Sequence, residues 1–112
     1  MKSLKFAPDL VSKIISGEKT STWRLFDDKD LKVNDSLVFI NKANGEQFGS
    51  AIINSIKIKT LGTLSEEDWE GHERFASEDE MYSTYRKYYG DKVGPDSEVK
   101  LLKFDFKQKI AK

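Results

Sequence analysis

The sequence contains no cysteine. Disulfides, zinc–thiolate sites and cysteine nucleophiles are therefore excluded. It contains one histidine, His72. A multi-histidine metal site is impossible on that count, and a Ser-His-Asp triad would have to use this residue. Long apolar runs are also lacking. No stretch approaches the roughly 20 residues that span a bilayer. The first residues, Met1 to Leu4, show neither the apolar segment nor the small-residue cleavage site of a secretory signal. No excess of either charge exists, since 19 basic residues face 19 acidic ones. That argues against a strong non-specific nucleic-acid binder and leaves a local basic pocket open. The expectation is a soluble, cytoplasmic monomer without metal, cofactor or membrane partner.

What is present fits one packed domain over residues 1–112. The chain is 38% hydrophobic and 12% aromatic, enough for a core without staples. Leu4 to Phe6 is a short strand candidate. Pro8 suits the first turn of a helix over 8–16, with Asp9 at its positive end. Leu10, Val11, Ile14 and Ile15 share one face of it, and Gly17 can close it in the left-handed conformation. Strands are expected over Ser36–Asn41 and Phe48–Thr60, joined by an Asn44–Gly45 hairpin turn. Ser65 and Asp68 cap a short helix over 65–70, with Leu64 and Trp69 at staple positions. Ser77 and Glu80 open another over 77–89. Glu98 to Phe106 is the last strand. Its apolar phase changes between Leu101 and Leu102, which implies a bulge or burial on both faces. Residues 107–112 read as a frayed tail. Helices do not alternate with strands, so a doubly wound parallel sheet is disfavoured. The fold class is α+β, a small mixed, mostly antiparallel barrel with flanking helices.

Where the first helix ends, the chain reads Gly17-Glu18-Lys19-Thr20-Ser21-Thr22-Trp23-Arg24. A lysine, three hydroxyls, an indole and an arginine fall within eight residues. Thr20, Thr22 and Trp23 favour an extended chain. Arginine offers a planar fork to a phosphate or a base edge, and lysine a compact charge. The plainer reading is a solvated edge strand. Thr20, Thr22 and Arg24 share a strand face, with Lys19 out of phase. Convergence therefore requires Lys19 to sit in the helix-to-strand turn or its stem to curl round.

This stretch resembles the G-x-K-x-x-x-x-R signature of ASCH domains, of the PUA-like superfamily. The turn Leu31 to Ser36 resembles that family's entry to the next barrel strand, with Asn34 where glycine is usual. Glu70 to Ser77 and Ser97 to Phe106 resemble later segments, so the likeness covers about residues 4–106. It implies a PUA-like β-barrel whose cleft, lined by Lys19 and Arg24, binds RNA or nucleotides. Thr20, Thr22 and Glu70 join the ligand-binding candidates. Some family members are amidohydrolases that remove the acetyl group of N4-acetylcytidine. Their lysine, threonine and glutamate correspond to Lys19, Thr22 and Glu73. The spacing differs by about one residue near the glutamate, so Glu70 is the reserve. By that analogy Lys19 acts as base on Thr22, Thr22 attacks the amide carbon and Glu73 shuttles a proton.

Other residues have structural explanations. Trp23 reads as core packing rather than a stacking platform. Tyr82, Tyr85, Tyr88 and Tyr89 read as packing residues with wet hydroxyls. Most acids between Glu66 and Glu80 favour helix N-termini. His72 reads as a surface or packing residue. If Arg24 lines a cleft it needs a partner. Carbonyls, or one of the acids Glu73, Glu70, Asp27 and Asp28, are the candidates. A third reading is a protein-interaction module using the tyrosine-rich helix Glu78 to Tyr89.

Overall fold

The computed structural model describes residues 2–26 and 29–109. Chain order is β1 (Lys2–Phe6), α1 (Pro8–Ser16), β2 (Ser21–Leu25), β3 (Ser36–Asn41), β4 (Gln47–Thr60), two short 3-10 turns, α2 (Glu78–Tyr89) and β5 (Glu98–Gln108). The five strands form one sheet in the order β1-β3-β4-β5-β2. β1 runs parallel to β3, and the other neighbours are antiparallel. The sheet curls into a half-barrel with two α-helices, an α+β architecture. β1 and β2 are its two edge strands.

Local chemistry explains the elements that place the site. Pro8 opens α1, where its missing N–H costs nothing. Gly17 ends it at φ 87°, donating its N–H to the Ile14 carbonyl. Val11 and Ile14 are buried against the sheet. Asn34 sits at φ 74° in the turn before β3, a conformation asparagine tolerates better than most residues. Ser77 caps α2 by accepting from the Glu80 N–H.

The phase change in β5 has a definite cause. Val99 and Leu101 pack in one buried cluster, while Leu102 and Phe104 pack in another. β5 is thus buried on both faces in succession, and the irregularity in register lies in its partner β4, between Ile53 and Ser55. The first cluster fills the space between α1 and β1, β3, β4. The second lies under α2 and holds Trp23, Leu25, Met81 and Tyr85.

Several boundaries differ from expectation, among them the start of β1, at Lys2 rather than Leu4. The helix over 65–70 is a single 3-10 turn, Glu66–Trp69. The Asp68 carboxylate accepts from the Ser65 N–H and hydroxyl and pairs with Lys57 and Lys59. These bonds tie the turn down to β4 before a second turn can form. β5 continues through Lys107 and Gln108, which pair with Ser50 and Gly49, so this part of the expected tail is strand. Residues 110–112 lie outside the described residues. β2 begins at Ser21, so Lys19 and Thr20 belong to the turn that precedes it.

Candidate functional site

That late start of β2 removes the phase difficulty at Lys19. Its N–H is held by the Lys13 carbonyl at 3.1 Å. The side chain is directed by the turn rather than by strand alternation. Lys19 is only 2% exposed, and its Nζ lies 2.5 Å from Glu73 Oε2.

Glu73 is brought there by a connection fastened to the start of β2. The Thr20 and Ser21 N–H groups both donate to the Gly71 carbonyl, at 2.9 and 3.1 Å. The Ser21 hydroxyl donates to the Glu70 carbonyl at 3.3 Å. Gly71 adopts φ +75°, and a Cβ there would run into the Thr20 hydroxyl. Only glycine permits this approach without displacing the loop. His72 follows, buried, with its ring stacked on Trp23 at 3.9 Å between centroids and 17° between planes. Its Nδ1 is 2.8 Å from the Glu73 carbonyl, and its Nε2 is 3.5 Å from Glu73 Oε1.

The three ionisable groups perturb one another. Burial lowers the Lys19 pKa from its ordinary value against the opposing pull of Glu73, with Arg24 and Lys13 adding to the lowering. Burial alone would raise the Glu73 carboxyl. The charges of His72 and Lys19 and the Lys19 hydrogen bond reverse this, and its pKa is lowered. Burial first and Lys19 second bring His72 down to about 4. His72 is therefore neutral at pH 7, and its charge bears on Glu73 only in the acid range where both titrate.

Thr22 and Arg24 lie on the other phase of β2 from Trp23 and Leu25. They line a cleft of about 820 Å³ that also touches β1, His72, Glu73 and the rings of Tyr85, Tyr88 and Tyr89. β1 and β2 are the unpaired edges of the half-barrel, so the cleft occupies the gap where the barrel does not close. Thr22 is buried, and its hydroxyl makes no hydrogen bond to another described residue. Among the described residues, the cleft lining carries Lys5, Arg24, Lys29, Lys42 and Lys87 together with the carboxylates of Asp9 and Glu73.

Arg24 meets neither of the two described candidate acids, Glu73 and Glu70, in an ion pair. Among the described residues no carboxylate lies within ion-pair distance of it. Its guanidinium sits 5.4 Å from the centroid of the Phe6 ring, and its buried Nε has no hydrogen-bond partner. Glu73 is taken by Lys19 instead. Asp27 and Asp28, the local candidates, lie outside the described residues.

Lys19, expected to line the cleft beside Arg24, does not line it: its side chain is enclosed and is linked to the cleft through Glu73. Two other candidates fall elsewhere. Thr20 is exposed beside Gly71, and it does not line the cleft. Its place in the turn, rather than in the strand, sets it apart from Thr22. Glu70 is exposed, one residue before the Gly71 turn. It borders a smaller pocket of about 250 Å³ shared with Lys57, Asp68 and Lys103. The turn at Gly71 separates the two glutamates and sends Glu73 to Lys19. Trp23 packs between His72, Trp69 and Tyr85. His72 and Phe6 had no distinguishing signal in sequence. A lone histidine and one phenylalanine of a short strand become informative only through their neighbours.

No family model and no curated protein matches the chain. Solved structures do resemble it. A DUF984-family protein from Enterococcus faecalis has a TM-score of 0.76 and 16% identity, covering 89% of this chain and 71% of its own. An ASCH domain from Lactobacillus crispatus has a TM-score of 0.71 and 18% identity, covering 96% and 80%. An ASCH protein from Zymomonas mobilis has a TM-score of 0.63 and 19% identity, covering 92% and 65%. At these identities the likeness speaks for backbone architecture. The half-barrel, its two helices and these neighbours together give the chain the fold of ASCH domains, a PUA-like fold.

Proposed function

We propose that the cleft binds a nucleotide, free or as one unit of an RNA strand, with Arg24 as its anion anchor. The observation that supports this most is the Arg24 side chain. A guanidinium whose buried Nε has no partner among the described residues, in a cleft that also presents Lys5, Lys42 and Lys87, is matched by an anionic, planar-bonding group. Phosphate has that chemistry, and the tyrosine rings of the same cleft offer surfaces to a base. Neutral net charge keeps general affinity low, so selection rests on the cleft itself.

Fluorescence titration of labelled RNA and nucleotides tests the assignment. Arg24→Ala is expected to weaken binding by about 10- to 100-fold, the worth of a hydrogen bond to a charged group. Arg24→Lys keeps the charge but not the fork, and it should also bind more weakly than the parent. Neither change should cost as much stability as binding, because no described carboxylate depends on Arg24. Equal binding by parent and Arg24→Ala removes the site.

A second reading, hydrolysis of an acylated cytidine, is favoured by one specific arrangement. The Lys19–Glu73 pair and the unengaged Thr22 hydroxyl come from the two segments that meet at the cleft. Proton transfer from Lys19 to Glu73 would leave a neutral amine to take the Thr22 proton. Thr22 Oγ1 would attack the amide carbon, and Glu73 would return the proton to the departing amine, leaving an acetyl ester on Thr22. Water, giving a proton to Glu73, would then attack that ester and release acetic acid, with Lys19 returning the proton to Thr22 Oγ1. Thr22 is not hydrogen-bonded to Lys19 in the empty protein, so this step requires substrate to bring them together. Incubation with N4-acetylcytidine, followed by chromatography for cytidine, is the assay. Turnover that Thr22→Val abolishes is the expected result on this reading. Turnover that survives Thr22→Val, or none beside an active family hydrolase, leaves binding alone.

A further inference from the structure

Two of the large apolar side chains left exposed on this protein stand at the mouth of the cleft. Tyr88 is 60% exposed and Phe26 is 44% exposed, and both line the cleft. Single exposed rings are ordinary. These two come with cations from separate parts of the chain. Lys42, just after β3, has its Nζ 5.9 Å from the Tyr88 ring centroid. Lys92, beyond α2, has its Nζ 4.3 Å from the Phe26 ring centroid. The favourable end charge of a helix dipole accounts for a basic residue such as Lys87 in the last turn of α2. It does not account for Lys42 or Lys92. The rings are linked inward. Phe26 meets Tyr89 edge-on at 5.9 Å, Tyr89 stacks near Tyr85 at 6.3 Å, and Tyr85 lies 6.4 Å from Trp23. A row of aromatic surfaces thus runs from beneath the site to its rim.

Resting on the nucleotide reading of the cleft, we infer that this rim is a second stacking site, centred on Tyr88 and flanked by Lys42. It takes the base next to the one held in the cleft, so the ligand is a single strand of two or more nucleotides. Stacking on an exposed ring is tolerant of base identity, and the adjoining ammonium groups meet the phosphates between bases. Exposed rings also serve protein interfaces, so it is the ammonium group beside each ring, Lys42 at Tyr88 and Lys92 at Phe26, that favours a polyanionic strand.

Anisotropy measurements with labelled hexauridylate, and competition by uridine monophosphate, read the two sites separately. The parent should bind the hexamer at least ten-fold more tightly than the monophosphate. Tyr88→Ala should weaken the hexamer at least five-fold and leave the monophosphate within two-fold. Phe26→Asn, which keeps a residue suited to its φ of 50°, should act in the same direction. Lys42→Gln should reduce the salt dependence of hexamer binding by about one unit of slope. Both rings are exposed, and unchanged melting curves would show the variants folded. Arg24-dependent monophosphate binding with no gain for the hexamer overturns the rim site and leaves the cleft standing. Equal competition by a hexaglutamate peptide overturns it in favour of a general polyanion or protein surface. No binding of either nucleotide probe removes both readings.

Discussion

Replacing Glu73 by leucine is expected to cost about 3–5 kcal/mol of folding stability, the usual penalty for leaving one member of a buried ion pair uncompensated. Lys19 is 2% exposed, and the Glu73 side chain is 20% exposed. The asymmetry decides which partner matters more. Without Glu73 the ammonium stays enclosed with Arg24 and Lys13 as its electrostatic neighbours, both repulsive. Without Lys19, the partly exposed carboxylate can turn to water. Lys19→Met should therefore cost less than Glu73→Leu. The double variant should return to within about 1 kcal/mol of the parent, because an apolar pair of similar volume needs no desolvation of charge. Urea denaturation of the four proteins at pH 7 gives the comparison. A double variant as unstable as the sum of the singles would mean that the pair is not the origin of the loss.

The same variant carries an independent signature. In Glu73→Leu, the Lys19 pKa lies further below its unfolded value of 10.5. Between those two values the unfolded chain binds more protons than the folded one, so stability rises with pH there. The deficit of Glu73→Leu should shrink between pH 7 and pH 10. A packing defect alone would not respond to pH in that range.

How much of this is legible in the sequence depends on the range of the signal. Pro8, Gly17 and the apolar face of Val11 and Ile14 act within one helix, and the chain spells them out. The caps at Ser65 and Ser77 are equally local, although the length of the first helical turn is not. That is set by Lys57 and Lys59 reaching from β4 to Asp68. The parallel pairing of β1 with β3 depends on contacts across some 35 residues and leaves no periodic trace. The choice between Glu70 and Glu73 is similar. Spacing leaves both open, because a single glycine at φ +75° reverses the chain between them. Lys19 looks out of phase with Thr22 and Arg24 only while it is counted as strand. Its placement follows from where α1 stops. That Glu73 pairs with Lys19 and not with Arg24 has no sequence signal at all, since both cations stand in the same eight-residue stretch.

His72 provides the other large effect. Its pKa is held at about 4 by burial and by Lys19, against 6.5 for an unhindered imidazole. From pH 6.5 down to 4 the unfolded chain takes up a proton that the folded protein refuses. Bound protons thus favour the unfolded state, and stability falls as pH falls through this window. A shift of this size corresponds to about 3 kcal/mol, a large share of what a domain of this length has to lose. Below pH 4.5 Glu73 adds to the decline, because its folded pKa is lowered and protonation breaks its bond to Lys19. His72→Phe separates the two contributions. Phenylalanine retains a flat ring for the stack on Trp23 and cannot titrate. It gives up the contact between Nδ1 and the Glu73 carbonyl, at a cost of about 1–2 kcal/mol near neutrality. Urea midpoints measured every half pH unit should therefore fall for the parent between pH 6.5 and 4.5. They should stay nearly level for His72→Phe until the carboxylates begin to titrate. An imidazole titration by NMR centred near 6.5, or parallel curves for the two proteins, would place His72 in contact with water and undo the buried Lys19–Glu73–His72 arrangement on which both predictions stand.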